Sequence, residues 1–203
     1  MKIIAIGRNY IDHAKELNNA VPKQPVFFLK PETALLQKNR AFYYPEFSKD
    51  IHYEAEVVVK INKVGKYIEE EFAHRYYSEI GIGIDFTARD IQQNQKEKGL
   101  PWEIAKAFDH SAPIGKFVKL ADYSNIQDIH FNLDINGQQV QSGHTKDMLF
   151  TVDQIIAYVS QFVTLKIGDL IFTGTPAGVG PVKIGDRLEA SIEGETLLNF
   201  EVK

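Results

Sequence analysis

The sequence contains no cysteine among its 203 residues. Disulfide bridges, thiolate metal ligands and a cysteine nucleophile are therefore excluded. This absence suits a cytoplasmic protein, and we expect that location. Apolar runs are only a few residues long, so no segment predicts a membrane span. The first seven residues carry one positive charge and a short apolar stretch, which indicates a first β-strand rather than a secretory signal.

The sequence also lacks a large excess of charge of either sign, since the formal net charge is -4. No basic stripe with interleaved aromatic residues is present, so nucleic acid is not an expected partner. The acidic run at residues 69–71 indicates a solvated helix start. With 44% hydrophobic residues, the chain can bury a sizeable core, and we predict one domain over residues 1–203.

Strand signals dominate the chain. Short apolar runs bounded by turn residues predict strands at residues 2–7, 26–30, 51–61, 80–86, 130–135, 138–141, 169–173, 187–192 and 196–202. The dipeptide Asn136-Gly137 between two of these runs predicts a β-hairpin. Many strands with few helices predict a mixed α+β architecture that is mostly β.

Three helices are predicted from capping signals. Asn9 would cap a helix at residues 10–17, and Thr87 would cap one at residues 88–98 that Gly99 stops. Thr151 would cap a third helix at residues 152–162. The apolar face of this third helix is expected to consist of Val152, Ile155, Ile156, Val159 and Phe162.

Two glutamates in the predicted strand 51–61 suggest a cation site. Glu54 and Glu56 should point to the same face, about 6.6 Å apart, and His52 should share that face. Three valines follow them and are expected to be buried. Like charges beside a core repel and lose hydration, and a divalent cation would offset both effects. The alternative is an exposed edge strand with two solvated glutamates.

A third carboxylate, Asp85, ends the apolar strand at residues 80–86. Its alternative role is to cap the helix that follows. Together with Glu54 and Glu56 it would supply three oxygen ligands, a set that suits Mg²⁺. Mn²⁺ and Ca²⁺ stay open on the same grounds, whereas histidines at zinc-binding spacing are missing from the sequence.

Candidate acid–base groups lie elsewhere in the chain. His13 and Glu16 are three residues apart on one helix, so a carboxylate could orient the imidazole to activate water. The alternative is an ordinary surface pair. Lys106 and Lys30 could each clamp a carboxylate or an oxyanion, or extend an ammonium group to solvent. Arg89 is either a surface neighbour of an acidic residue or an anion clamp.

A glycine-rich loop at residues 174–181 follows a predicted strand. It lacks the lysine and spacing of a phosphate-binding P-loop. Backbone N–H groups in such a loop can approach a ligand closely, and Thr175 could hydrogen-bond a carboxylate. Tight β-turns also need glycine, which is the alternative explanation.

These stretches occur together and in the same order as the motifs of a known family. They comprise residues 7–10 with His13 and Glu16, followed by 28–31, 52–56, 85–90, 106–109, 137–141 and 172–180. On these motifs the sequence resembles the fumarylacetoacetate hydrolase family over nearly its whole length. The resemblance implies a β-sandwich roll with a few short helices, like the C-terminal domain of the longer members.

By position, the resemblance implies that Glu54, Glu56 and Asp85 are the metal ligands. It also implies that His13 and Glu16 form the pair that activates water. In small members of the family, the segment bearing such a pair closes over the substrate. Residues 1–20 are therefore expected to form a strand and a lid helix.

The resemblance also implies residues that contact the substrate. Lys106 would contact the substrate or its oxyanion. Further substrate contacts would come from four polar side chains, Lys30, Arg89, Gln92 and Thr175. The partners implied are a small 2-oxo acid and a second copy of the chain in a homodimer.

We expect the short branch of the family, without the additional N-terminal domain of the longer hydrolases. That branch includes acylpyruvate hydrolases, oxaloacetate decarboxylases and isomerase/decarboxylases of aromatic catabolism. We predict a Mg²⁺-dependent hydrolase that cleaves a C–C bond in an acylpyruvate-type 2-oxo acid and also decarboxylates oxaloacetate.

Two alternatives remain open. One is a 2-hydroxyhepta-2,4-diene-1,7-dioate isomerase/decarboxylase, which product analysis would separate from a hydrolase. The other is a non-catalytic β-rich module that binds a metal or ligand and shows no turnover. A cupin-like protein is disfavoured, because cupin sites depend on histidine.

Overall fold

The computed structural model describes residues 1–16 and 20–203. The strands, numbered in chain order, are β1 (Ile3–Gly7), β2 (Val26–Lys30), β3 (Leu35–Leu36), β4 (Ile51–Tyr53), β5 (Ala55–Ile61), β6 (Tyr77–Ile84), β7 (Thr87–Ala88), β8 (Ala112–Pro113), β9 (Val118–Lys119), β10 (His130–Ile135), β11 (Gln138–His144), β12 (Leu170–Phe172), β13 (Gly180–Pro181), β14 (Arg187–Ile192) and β15 (Glu195–Glu201). The predicted mixed, mostly β fold with a few short helices is confirmed.

The helices are short and lie between the strands. They are α1 (Ile11–Glu16), α2 (Glu70–Ala73), α3 (Arg89–Lys98), α4 (Glu103–Lys106) and α5 (Val152–Ser160). The acidic run at residues 69–71 begins α2, as predicted. Leu17, the last residue of the first predicted helix, lies outside the described residues. None of the described helices combines the length and apolar character needed to cross a bilayer.

A six-stranded sheet, in the order β2-β1-β12-β5-β6-β9, forms the centre of the molecule. β1 and β12 run parallel, and the other neighbouring pairs run antiparallel. Side chains of β5 alternate between two apolar clusters on opposite faces. Val57 belongs to the larger cluster, whereas Val58 packs in the smaller one with Ile3 and Phe172. Glu56 shares its face with Val58 and therefore borders the smaller cluster.

A second sheet, in the order β11-β10-β14-β15, shares the larger cluster with the first sheet. Leu133 of β10 and Ala190 of β14 are fully buried in that cluster. The predicted hairpin is confirmed, since Asn136 and Gly137 take φ angles of 54° and 79° between β10 and β11. Positive φ at both positions is what a tight two-residue hairpin turn requires. The two sheets thus pack over one core, as in a sandwich.

The single strand predicted at residues 51–61 is wrong in one respect, because it is interrupted at Glu54. β4 pairs with β13 and β7, whereas β5 pairs with β12 and β6. At the interruption, the Asp85 N–H donates to the Glu54 carbonyl oxygen, and the Ala55 N–H donates to the side chain of Gln141. The chain therefore passes from one sheet to another at the first predicted metal ligand.

Two of the predicted helix caps are also wrong. Thr87 lies in β7 and its hydroxyl donates to the Asp85 carbonyl oxygen, while α3 begins at Arg89. The side chain of Asn9 bonds to backbone groups of distant loops instead of to its own helix. Gly99 does end α3, with a φ angle of 64°. Asn9 is thus used for long-range contacts that local sequence does not reveal, whereas Thr87 bonds to a carbonyl group two residues earlier in the chain.

The third predicted cap is confirmed. Thr151 accepts from the Gln154 N–H, and the Gln154 side chain accepts from the Thr151 N–H, which is a complete capping box. Val152, Ile155, Ile156 and Val159 are buried as predicted. Phe162 is 56% exposed, because α5 ends at Ser160 and the periodicity of the helix no longer places the ring.

Candidate active site and metal centre

The three carboxylates meet because two neighbouring strands share an edge of the central sheet. β5 and β6 are antiparallel, with Glu56 opposite Gly83. Glu54 immediately precedes β5, and Asp85 immediately follows β6. The start of one strand therefore lies beside the end of the other, and the backbones of Glu54 and Asp85 are hydrogen-bonded at 2.8 Å.

The resulting cluster is buried. Glu54 is 5% exposed, and Glu56 and Asp85 are each 1% exposed. One carboxylate oxygen from each residue lies within 4.8 Å of the others. The alternative of two solvated glutamates on an exposed edge is therefore wrong. His52 does not join the cluster, because its Nε2 pairs with Asp50 at 2.9 Å.

Three buried or half-buried cations contact two of the carboxylates. Lys106 Nζ lies 2.7 Å from Glu54 and 2.9 Å from Asp85. Lys30 Nζ lies 2.6 Å from the other oxygen of Asp85, and the Arg89 guanidinium lies 2.6 Å from the other oxygen of Glu54. These contacts hold the ligand side chains in one orientation, as charge-assisted hydrogen bonds do.

Glu56 has no such cation among the described residues. Its Oε2 accepts from the Gly174 N–H at 2.7 Å. Burial, together with the neighbouring charges of Asp85 and Glu54, raises the pKa of Glu56 well above its ordinary range. A divalent metal ion would supply the positive charge that Glu56 lacks, so the oxygen-only ligand set fits such an ion.

Charges in the cluster also set the protonation of its neighbours. Burial would raise the pKa of Glu54, but Lys106 and Arg89 outweigh it and hold this pKa below its ordinary range. Burial would lower the pKa of Lys106, but Asp85 and Glu54 raise it above the usual value. Lys106 is therefore an ammonium donor at neutral pH and not a general base.

His13 and Glu16 lie on α1 at the rim of the same pocket. His13 is buried, and its Nδ1 lies 3.2 Å from Glu16. The second oxygen of Glu16 accepts from the Gly178 N–H at 3.0 Å. The alternative of an ordinary surface pair is wrong for His13, whose ring lines the pocket beside Glu54 and Glu56. A hydrogen bond at one ring nitrogen fixes the tautomer of the imidazole and directs the other nitrogen toward a reacting group.

The glycine-rich loop closes another side of the pocket. Gly174 has a φ angle of 103°, and a Cβ there would lie 2.6 Å from Cβ of Asn9, so glycine is required. Thr175 lines the pocket, and its hydroxyl accepts from Gln141 at 2.9 Å. Gln141 also accepts from the Ala55 N–H at 2.9 Å, so it connects the loop to the strand that carries Glu56.

Most of the predicted site residues come together in one pocket. The members that line it are His13, Glu54, Glu56, Asp85, Arg89, Gln92, Lys106 and Thr175. Gln92 accepts from Arg89 at 2.7 Å. Lys30 lies behind the pocket with its ammonium group on Asp85, and Glu16 reaches the pocket through His13.

Sequence reasoning missed three polar residues of the site. Arg8 and Lys96 line the pocket, and Gln141 positions its loop. Arg8 and Gln141 lie within the motif stretches 7–10 and 137–141, so their membership of the site could have been predicted. Lys96 lies in a polar helix outside these stretches, and no sequence pattern marks it as a site residue. Two aromatic residues, Phe28 and Trp102, also line the pocket.

Comparison with known proteins agrees with this geometry. The family model described as fumarylacetoacetate (FAA) hydrolase C-terminal matches residues 2–203. The chain belongs to the fumarylacetoacetate hydrolase family. It is 42% identical over 201 residues to the mitochondrial oxaloacetate tautomerase FAHD1 of Mus musculus, covering 99% of this chain and 91% of the mouse protein.

Two further similarities describe the range of the family. The chain is 41% identical over 197 residues to the oxaloacetate tautomerase YcgM of Escherichia coli, covering 97% of this chain and 90% of that protein. A crystal structure of fumarylpyruvate hydrolase from Pseudomonas aeruginosa, in complex with Mn²⁺ and pyruvate, matches with a TM-score of 0.94 at 35% identity. This match covers 100% of this chain and 89% of that one. The family and fold implied by the sequence motifs are thereby confirmed, and the relatives are enzymes named for small oxo acids.

Proposed function

We propose that the protein is a Mg²⁺-dependent tautomerase that interconverts the keto and enol forms of oxaloacetate. The observation that carries the proposal is one pocket in which the carboxylate triad, the His13–Glu16 pair and Lys106 converge. Two relatives at 41% and 42% identity are named oxaloacetate tautomerases, which supports this reaction ahead of the C–C hydrolysis predicted from the motifs.

Glu54, Glu56 and Asp85 would hold the metal ion. A divalent ion there would act as a Lewis acid toward the 2-oxo group of the substrate. Mg²⁺ is our choice because the ligands are all oxygen and few, which leaves positions for water and substrate. The Mn²⁺ of the Pseudomonas complex supports a divalent ion in general.

His13 is the proposed general base. It would remove a proton from C3 of oxaloacetate, and the electron pair of that C–H bond would form the C2=C3 double bond. The proton would return from His13 to the oxygen on C2, which completes the enol. Glu16 would act as a positioning residue, because its bond to Nδ1 leaves Nε2 free for the substrate.

Lys106 would stabilise the negative charge that develops on the C2 oxygen. Its ammonium group is buried, and Asp85 and Glu54 keep it protonated. A fixed cation in a water-poor pocket stabilises an enolate more than it would in bulk water. Thr175 and Gln92 are proposed contacts of the substrate, whereas Arg89 and Lys30 act through the carboxylates that they contact.

A second candidate is hydrolysis of an acylpyruvate. The same His13–Glu16 pair could activate water for attack on the distal carbonyl carbon, after which the C–C bond breaks and pyruvate leaves. The similarity to a fumarylpyruvate hydrolase supports this candidate. Oxaloacetate decarboxylation would need the same electron sink but no base.

A homodimer is expected from the resemblance to the family. Leu29, Phe47 and Ile104 are 41%, 54% and 64% exposed and line one apolar groove, a surface suited to a protein contact. Light scattering coupled to size-exclusion chromatography would test the dimer directly.

The deciding experiment uses a freshly dissolved, enol-rich solution of oxaloacetate. The ultraviolet absorbance of the enol is followed with Mg²⁺ or with EDTA, and metal-only blanks are subtracted because free metal also catalyses enolisation. Wild type should accelerate the decay in Mg²⁺, and His13→Ala should lose that acceleration. Acetylpyruvate is assayed in parallel with pyruvate release as the readout.

Each outcome selects a reaction. Pyruvate from acetylpyruvate, without faster enol decay, would replace the tautomerase by the hydrolase. Pyruvate from oxaloacetate that survives His13→Ala would identify a decarboxylase. No change in either substrate, with metal bound, would favour the isomerase or the non-catalytic module.

A further inference from the structure

Two cations in the pocket differ from the others in having no carboxylate partner. Lys30, Lys106 and Arg89 each form an ion pair with Asp85 or Glu54. Arg8 and Lys96 line the same pocket, yet within residues 1–16 and 20–203 neither forms an ion pair. Glu54 and Asp85 are already paired with cations, and Glu56 is left for the proposed metal ion. Arg8 and Lys96 are therefore surplus positive charge facing the pocket.

The fold directs both side chains to this place. Lys96 follows Arg89 and Gln92 by seven and four residues on α3, so the three share one face of the helix, and that face lines the pocket. Arg8 follows β1 with a φ angle of 61°. A non-glycine residue with positive φ is uncommon and is often maintained where a side chain must be presented.

The surroundings of Lys96 favour an anion. Burial, together with the positive charges of Arg89 and Arg8, lowers the pKa of Lys96 from its ordinary value. Such mutual repulsion is relieved when a carboxylate binds between the cations. Two aromatic rings lie between Lys96 and Lys106, since Trp102 lies beside Lys96 and packs edge-on against Phe28, which in turn contacts Lys106.

Lys96 is thus connected through Trp102 and Phe28 to Lys106 at the triad, and Arg8 lines the same pocket. We infer that Arg8 and Lys96 bind the second carboxylate of a dicarboxylic 2-oxo acid, while its 2-oxo carboxylate end lies at the triad. This inference rests on the proposed function and adds the residues that select a dianionic substrate over a monoanionic one. The guanidinium group of Arg8 can bind a carboxylate through two parallel hydrogen bonds, and the ammonium group of Lys96 adds a third donor.

The test compares oxaloacetate with 2-oxobutyrate, which has a methyl group in place of the second carboxylate. Oxalate serves as a calorimetric probe with saturating Mg²⁺, because it can occupy the metal end without reaching Arg8 or Lys96. The two 2-oxo acids are measured by displacement of oxalate. Wild type should bind oxaloacetate at least about tenfold more tightly than 2-oxobutyrate.

In Arg8→Gln and in Lys96→Gln, affinity for oxaloacetate should fall about tenfold or more, while oxalate and 2-oxobutyrate change less than about threefold. Lys98→Gln is the matched control, since it removes the same charge from the same helix but about 200° around its axis. It should leave all three affinities unchanged. The Lys96 variant keeps the test valid if Arg8→Gln fails to fold.

Preference for oxaloacetate that persists in both variants would overturn the inference. An equal loss for oxalate, or an equal effect of Lys98→Gln, would also overturn it, because either would indicate a general electrostatic effect. Failure of the proposed function is distinguishable. A wild-type protein that discriminates in binding but does not accelerate enol decay would refute the tautomerase and still support these two residues.

Discussion

The carboxylate triad and the His13–Glu16 pair face one pocket but are held in different ways. The triad lies on or beside central strands, and cations contact two of its three members at 2.6–2.9 Å. The pair lies on α1, a helix of six residues whose Ile11 is 43% exposed. The difference indicates that the metal-binding groups are built into the central sheet, whereas the proposed proton-transfer group lies on a short helix beside it.

The described contacts that hold α1 include those of one buried side chain and one loop amide. Asn9 donates to the Thr173 carbonyl oxygen at 2.7 Å, and its own oxygen accepts from the Phe150 N–H at 2.8 Å. Glu16 accepts from the Gly178 N–H. If this comparison is correct, substitutions in the two regions should separate metal binding from turnover.

The largest effect is expected for Glu56→Gln. The substitution removes a ligand charge from the cluster, so Mg²⁺ affinity and tautomerase activity should both be lost, the activity by more than about 1,000-fold. Calorimetric titration with Mg²⁺ and the enol-decay assay measure the two quantities. Glu69→Gln, at the start of α2 and outside the pocket, is the matched control. Full activity in Glu56→Gln would contradict the metal site.

The next effect is expected for His13→Gln. Loss of a general base lowers the rate by about 100- to 10,000-fold, while Mg²⁺ affinity should stay within about twofold of wild type. Glu16→Gln should reduce kcat less, because it removes only the orientation of the ring. Should His13→Gln weaken Mg²⁺ binding as strongly as Glu56→Gln, the two regions would not be separable.

A smaller effect is expected for Asn9→Ala. Displacing α1 by a fraction of an ångström should lower kcat about tenfold with little change in Mg²⁺ affinity. The lost hydrogen bonds should also lower the free energy of unfolding by about 2 kcal/mol. Thr151→Ala is the control, because loss of the α5 cap costs about 1 kcal/mol without touching the site. A normal kcat in Asn9→Ala would show that α1 is positioned by other contacts.

The smallest effect concerns the metal-free protein. Burial, with Asp85 and Glu54, raises the pKa of Glu56 above its ordinary value of 4.5, so the folded state retains a proton that the unfolded state has released. The free energy of unfolding in EDTA should therefore fall as pH rises through a window that begins at about pH 5, by no more than about 1 kcal/mol per pH unit. The lowered pKa of Glu54 acts only below that window.

Denaturant unfolding across this range, in EDTA, checks the prediction. The slope with pH should be flatter in Glu56→Gln, which has no titratable group at that position. Saturating Mg²⁺ should stabilise wild type increasingly as pH rises, because the metal competes with the proton. Equal slopes for wild type and Glu56→Gln would show that Glu56 is ionised in the metal-free fold.

Much of the fold was predictable because strands and turns are encoded locally. The hairpin at Asn136-Gly137 and the capping box at Thr151 depend on neighbours within a few residues, and both are confirmed. The predicted cap at Asn9 failed for the opposite reason, because its side chain bonds to loops that only tertiary contacts bring close. The predicted cap at Thr87 failed locally, since its hydroxyl donates to the Asp85 carbonyl oxygen two residues earlier.

The sequence by itself determined which side chains share a face over short distances. Glu54 with Glu56, and His13 with Glu16, follow from strand and helix periodicity, and the ordered motifs added the family. Only the tertiary structure decided that β5 and β6 bring Asp85 to the glutamates, that Gly174 reaches Glu56, and that Arg8 and Lys96 meet in one pocket. The physical reason is that residues far apart in sequence become neighbours only through sheet pairing and core packing, which no local pattern specifies.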